Sequence, residues 1–409
     1  WFICNMKNDV IIIGGGAAGF FSAINIAILN PKLNIVILER GKEGLQKVKI
    51  SGGGRCNVTH GEFTPSSLTL SYPRGEKELL GPFHQFMTGD TMQWFEQRGI
   101  ELKIEEDGRV FPVSNNSQTI IDCFLSEVKR LNIKVLYNHS VKSISLENNE
   151  WLINTGNQNF NCSKLLVATG SNPKIWNLMD QLNHTIINPV PSLFSFDIND
   201  SRIKSIPGVV VEDVDIKVIN SKLSSDGPLL ITHKGMSAPS ILKLSAFGAL
   251  EFESLNYQFD ISINFVRINY LDCLSELKLI KNNMSKKMVV NTPHFGLPKR
   301  LWKELVIYSQ IDKKSIWADL NKNQLNLLSS QLTSSIFKVK GKSTFKEEFV
   351  TAGGVDLKEI NFKTFESKIH NNLFFAGEVL NIDAITGGYN FQNAWTGAYI
   401  ASKSISGVS

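Results

Sequence analysis

Cysteine is scarce in this chain, and none of it is paired. Cys4, Cys56, Cys123, Cys162 and Cys273 are five thiols in 409 residues, odd in number and far apart. No CxxC pair occurs, so the spacing suggests neither a zinc site nor a disulfide framework, and no metal is expected. Such usage fits a reducing compartment, and a cytoplasmic setting is expected. No apolar run approaches the roughly 20 residues of a membrane span, so no membrane partner is expected. Residues 1–5, ahead of Met6, lack the basic and apolar stretches of a signal peptide, and Met6 is a candidate start. Charge is nearly balanced: 43 basic against 38 acidic residues leave a net +5. That permits a basic patch for an anionic ligand without requiring nucleic acid, so a small-molecule substrate is expected and nucleic acid is not. Repeats, low-complexity tracts and coiled-coil heptads are missing too. Oligomeric state stays open.

What is present is an ordinary globular composition, 42% hydrophobic and 20% charged, in a chain too long for one core. Residues 9–13 form a β-branched run suited to a strand buried on both faces. Residues 17–29 compose a helix ended by Asn30-Pro31, and residues 34–39 a second strand. A helix over 117–131, a strand at 134–137, a hairpin around Asn148-Asn149 and a strand at 164–170 follow. From about Pro189, prolines punctuate short β-rich stretches; from about 272 the pattern turns helical. Strand grammar returns after Phe345, with Leu373–Gly377 and a final helix near 390–404. The pattern predicts an α/β fold with a discontinuous Rossmann-type domain (1–190 and 345–409). It is interrupted by a β-rich, barrel-like insert (191–265) and a mainly helical one (266–344).

The sharpest signal is Gly14-Gly15-Gly16-Ala17-Ala18-Gly19 between the first strand and helix. A lone GxGxxG is weak; this one has its strand, its helix and a following strand that ends in Glu39-Arg40. Gly14 permits the tight turn, Gly16 lets backbone approach a pyrophosphate, and Gly19 lets helix and strand pack closely. The helix N-terminus beyond, at Ala17 and Ala18, offers free N–H groups to phosphates. Glu39, 25 residues after Gly14, is placed to grip ribose hydroxyls and disfavours a 2′-phosphate.

That unit does not separate NAD from FAD; the later glycine clusters do. Ser51, Gly53, Arg55, Cys56 and Asn57 belong to a Gly-rich loop that could lie along a long ligand, with Arg55 facing pyrophosphate charge. Ala168, Thr169 and Gly170 end a strand near the cofactor, and Val141 is a further lining candidate. Gly377-Glu378 would reach ribityl hydroxyls. Gly388, Tyr389 and Asn390 open a helix whose N-terminus would stabilise a reduced flavin. FAD, the longer cofactor, calls for this distant element.

These motifs, with Thr232–Pro239 and Thr351–Val355, resemble the HI0933-like family of FAD-binding oxidoreductases over nearly the whole chain. The resemblance implies a glutathione-reductase-like FAD domain carrying a β-barrel and a helical subdomain. It also implies a reductase or dehydrogenase, with at least one member similar to a reductase of bile-acid intermediates. Two positions depart from the family pattern: Ala238 stands where Gly is usual and Asn381 where Asp is common.

Dithiol relay chemistry is not expected, since Cys56 has no partner within ten residues. A second GxGxxG is missing, so NAD(P)H as donor would have to dock transiently. Candidates for acid–base work are Cys56, His233 and Tyr389, each with an ordinary packing or turn role as the alternative; His60 could reach the ring or lie at the surface. The alternating Lys338, Lys340, Lys342 and Lys346 read as solvated surface. The expected function is FAD-dependent hydride transfer through flavin N5 to or from an unidentified small organic substrate. A tRNA-modifying flavoprotein, or a flavin-binding sensor without turnover, is the alternative. The former would need a basic, aromatic-bearing surface that composition does not display but folding could assemble.

Overall fold

The computed structural model describes residues 7–343 and 350–408; Cys4, Met6, Lys346 and the expected 344/345 boundary lie outside the described residues. The chain divides into two compact units, 1–190 with 350–409, and 191–349.

The first unit is built on a twisted sheet whose centre is parallel. β1 (Lys7–Ile13) pairs with β2 (Ile35–Leu38) on one side, and β2 with β3 (Lys134–Leu136). On its other side β1 pairs with β4 (Asn159–Val167), and β4 with β5 (Leu373–Phe375). In register, Ile37, Ile12, Leu166 and Phe374 lie side by side across four strands. The four residues of β2 are all buried, as an apolar run covered on both faces must be. Helix α1 (Ala17–Leu29) follows β1, and α2 (Tyr389–Ser406) closes the unit. The two helices pack together through Phe21 and Trp395, with ring centroids 5.2 Å apart, and through the Ser402 hydroxyl, which donates to the Ser22 carbonyl at 3.1 Å. The Asn148-Asn149 turn closes its hairpin with both residues at positive φ, between strands Ser143–Glu147 and Glu150–Asn154.

The second unit holds a seven-stranded sheet, among the described residues, with helices Tyr270–Asn283, Lys299–Tyr308 and Lys322–Thr333. One apolar cluster runs through both kinds of element, from Phe196 and Ile216 to Trp302 and Leu328. Strand Ser335–Val339, at the end of the stretch expected to be helical, pairs antiparallel with Phe259–Asn264. The β-rich and helical sequence regions therefore share one core. Among the described residues, no helix is long and apolar enough to cross a membrane.

Candidate functional site

Strand order reverses at β1: β2 and β3 lie to one side of it, β4 and β5 to the other. Open α/β sheets bind ligands at the carboxyl ends of strands beside such a switch point. β1, β2, β4 and β5 run there into Gly14, Glu39, Ala168-Thr169-Gly170 and Ala376-Gly377-Glu378. The turn after β1 is pressed against its neighbours. A Cβ on Gly14, at φ +109°, would sit 2.4 Å from the Ala168 carbonyl oxygen; one on Gly19 would sit 1.9 Å from that of Gly14. Gly16, by contrast, faces open space. The Glu39 carboxylate accepts from the Gly15 N–H at 2.7 Å and the Gly41 N–H at 2.6 Å, so it is fixed beside the glycine turn. Arg40 points outward and is exposed. Val141 is buried in the same core, two residues beyond His139, whose N–H donates to the Glu39 carbonyl at 2.8 Å.

The second glycine cluster breaks the Gln46–Gly54 helix, because Gly52 and Gly53 take left-handed angles. At Gly53 and Gly54 a Cβ would meet nothing within 4 Å. The loop is tied to the first turn by the Leu45 N–H, which donates to the Gly15 carbonyl at 2.7 Å. The Ser51 hydroxyl donates to the Val48 carbonyl at 2.9 Å. Lys47 joins the same helix to Glu378 at 2.5 Å, and Glu378 also lies 3.5 Å from a Cβ position on Gly170. At the other end, a Cβ on Gly388 would meet the Thr59 carbonyl at 2.4 Å and Asn57 Oδ1 at 2.9 Å. A Cβ on Gly377 would touch that of Ala18 at 3.5 Å. All four glycine-bearing turns thus converge, although they span residues 14 to 388.

Both α1 and α2 begin on a glycine, without a side-chain cap and without an acidic residue in the first turn. Their leading N–H groups and positive dipole ends are left for a ligand. Asn57 Oδ1 is buried with no hydrogen-bond partner among the described residues. An orphaned acceptor beside one helix N-terminus and open glycines beside another fit an elongated dinucleotide with a polar ring at one end. FAD would be held by the Gly14–Gly19 turn, Glu39, the Gly52–Asn57 loop, Gly377-Glu378 and Gly388.

Several expected site residues have protein partners of their own or lie apart from the glycine turns. Arg55 is not aimed as a free cation: Nη1 pairs with Glu105 at 2.7 Å, and its guanidinium lies 3.8 Å over the Phe111 ring. Asn390 is occupied with backbone, accepting from the Ala384 N–H at 3.0 Å and donating to the Ala384 carbonyl at 3.2 Å. Cys56 is fully buried, and burial pushes its thiol up to about 12, so it is a poor acid at neutral pH and a packed group. His233 lies in the second unit, exposed. Tyr389 is buried, with its ring stacked on His60 at 4.4 Å, while its carbonyl accepts from the Tyr72 hydroxyl at 2.6 Å. His60 Nδ1 lies 3.0 Å from the Gly387 carbonyl, and burial lowers its pKa. It is therefore neutral at pH 7.

Lys47 and the Arg74–Asp383 pair went unnoticed in the sequence. Asp383 is wholly buried, and Arg74 binds both its oxygens, which braces the segment leading to Gly387. No local pattern announces a pair 309 residues apart.

The model of the HI0933-like protein Rossmann domain matches residues 8–404. The chain belongs to the HI0933-like family. Its Rossmann-type FAD domain is the one that the motifs lead to. Relatives include a ribosomal RNA dihydrouridine synthase of Haemophilus influenzae, 29% identical over 98% of both chains. Another is a 3-dehydro-bile acid delta(4,6)-reductase of Clostridium scindens, 24% identical over 97% of this chain and 98% of the relative. Among solved structures, a 3-ketosteroid-delta4-(5alpha)-dehydrogenase of Rhodococcus jostii shares the fold. Its TM-score is 0.53 at 11% identity, over 98% of this chain and 97% of that one.

Proposed function

We propose that this FAD-dependent oxidoreductase reduces a carbon–carbon double bond conjugated to a carbonyl. The observation that carries the reading is the meeting of the α2 N-terminus with the buried, unpartnered Asn57 Oδ1 at the sheet's switch point. Bound FAD supplies hydride transfer. The chain's own part is to hold the ring and favour its negative charge. Uncapped N–H groups at Tyr389 and beyond supply a positive dipole end. Stacking of Tyr389 on a neutral His60 fixes that turn without a further full charge.

The bond type rests on the relatives. Making dihydrouridine saturates the C5=C6 bond of a uracil, which is conjugated to its C4 carbonyl; a delta-4,6 reductase acting on a 3-oxo steroid nucleus addresses the same kind of bond. NAD(P)H is the proposed electron donor, and the cytoplasm the proposed setting. A second reading, favoured by the 29% identical full-length relative, places the reducible bond in a uracil of ribosomal RNA. It departs from the charge-based expectation of no nucleic acid.

The test is anaerobic stopped-flow. The yellow holoprotein is reduced with NADH or NADPH, then mixed with a 3-oxo-4-ene steroid or a uridine-containing ribosomal RNA fragment. Faster flavin reoxidation than in buffer supports the bond assignment. A protein that is colourless and refuses FAD, or is reoxidised by neither acceptor, refutes it.

A further inference from the structure

The second unit has a surface cavity of about 360 Å³. Its rim comes from three separate stretches. Lys204 ends the Ser201–Lys204 helix, His233 and Lys234 lie in the turn before strand Gly235–Ser237, and Lys340 lies between strands Ser335–Val339 and Gly341–Ser343. All four side chains are exposed. Among the described residues, none of the three lysines has an ion-pair partner.

Of the two carboxylates lining the cavity, Asp200 is charge-paired, while Asp197 is held by a hydroxyl and keeps its charge, leaving the three lysines in excess. Asp200 binds Arg202 through both oxygens, at 2.9 Å and 2.7 Å. Asp197 Oδ1 accepts from the Ser343 hydroxyl at 2.5 Å. The basic turn is rigidly set: Thr232 Oγ1 accepts from the Lys234 and Gly235 N–H groups at 3.3 Å and 3.1 Å. A Cβ on Gly235 would fall 2.1 Å from the Phe196 carbonyl, so the turn is pressed onto strand Ser195–Asp197. Ile198 and Ile203 add apolar wall. Exposed Lys338 extends the positive charge along the strand beyond Lys340. Folding thus gathers cations that stand 136 residues apart between Lys204 and Lys340 into one field.

We propose that this cavity docks the phosphodiester backbone of an RNA. The inference rests on the ribosomal RNA reading of the substrate. Lysine ammonium groups are compact charges that hold phosphate without reading bases. Three of them, unpaired and spread over separate elements, suit a repeating polyanion whose counterions are released on binding.

The test uses the FAD-loaded protein and a labelled single-stranded ribosomal RNA fragment, with Kd followed between about 50 and 200 mM salt. Three proteins are compared: wild type, Lys204→Ala/Lys234→Ala/Lys340→Ala, and a charge-matched control, Lys278→Ala/Lys286→Ala/Lys313→Ala. The cavity variant should bind at least about tenfold more weakly at low salt, with a log–log salt slope shallower by about 2 to 3. The control should follow wild type, and flavin content should be equal in all three. Equal losses in cavity variant and control overturn the docking site while leaving the RNA reading intact. A wild type that binds no RNA removes that reading and the proposal with it. Inorganic phosphate binding that the cavity variant loses, with RNA affinity unchanged, would make the cavity a small-anion site and overturn the proposal.

Discussion

Glu39 and Gly15 are locked together: the Gly15 N–H donates to Glu39 Oε2 at 2.7 Å, and Oε1 takes the Gly41 N–H at 2.6 Å. The carboxylate thus shapes the glycine turn, and on the proposed site it would also meet a ribose. Hydrogen bonds to a charged group contribute about 1.5–3 kcal/mol each. Glu39→Ala should weaken FAD binding tenfold or more, by order of magnitude, and lower Tm in the apoprotein too. Glu39→Gln should fall between, since its amide can still accept one N–H. Fluorescence of released flavin and thermal melts of apo- and holoprotein read both effects.

Gly19 and Gly53 separate packing from backbone freedom. A methyl on Gly19 would overlap the Gly14 carbonyl at 1.9 Å, so Gly19→Ala must push α1 off β1. At Gly53 the space is free, and only the φ of +67° is costly, by about 1–2 kcal/mol. Gly19→Ala should abolish FAD retention on gel filtration; Gly53→Ala should keep it with a modestly lower Tm. Equal behaviour of the two would contradict this assignment.

Much of this site could be read in the sequence because its parts are local. The β1–turn–α1 pattern depends on neighbours within six residues, and the Asn148-Asn149 turn on two residues that tolerate positive φ. What stayed hidden depends on partners chosen in three dimensions. Arg55 looked free because Glu105 and Phe111 are 50 and 56 residues away. His60 was ambiguous because Tyr389 comes 329 residues later. The alternating lysines from Lys338 onward suggest an exposed strand face at the end of the mainly helical stretch 266–344, but the partner of strand Ser335–Val339, Phe259–Asn264, is set only by folding.

Cys56 should be chemically silent. With its thiol raised to about 12 by burial, it carries almost no thiolate at pH 8. Native protein should not be alkylated there by iodoacetamide, and Cys56→Ala should retain turnover at a stability cost of about 1 kcal/mol. Peptide mapping after labelling decides it; rapid native modification would contradict the buried placement.

Acid should loosen the His60–Tyr389 contact. Burial lowers the His60 pKa below 6.5, so on descending from that pH the unfolded chain binds a proton before the folded one does. Stability present above about 6.5 is then lost as pH falls toward the folded value. His60→Gln should flatten part of that decline. His184 and His294, also lowered by burial, remain in both proteins and cancel in the difference. Melting curves from pH 5 to 7.5 test this; parallel curves would count against it.

Ala238 stands at φ 84° and ψ 175°, a region that only glycine occupies easily. Relief of roughly 1–3 kcal/mol of strain, less the 0.5–1 kcal/mol entropy cost of glycine, roughly, predicts that Ala238→Gly raises stability by about 1 kcal/mol. Denaturant titration is the check, and a destabilised variant would refute it.

The placement of β5 and α2 after the second unit has a consequence for biosynthesis. While the ribosome is still translating residues before 373, the nascent chain lacks the strand beside β4 and the helix that packs along α1. On the proposed site, flavin capture waits until the closing segment has emerged from the exit tunnel. Until then, Phe21 of α1 has Phe86 and Trp94 beside it but lacks Trp395.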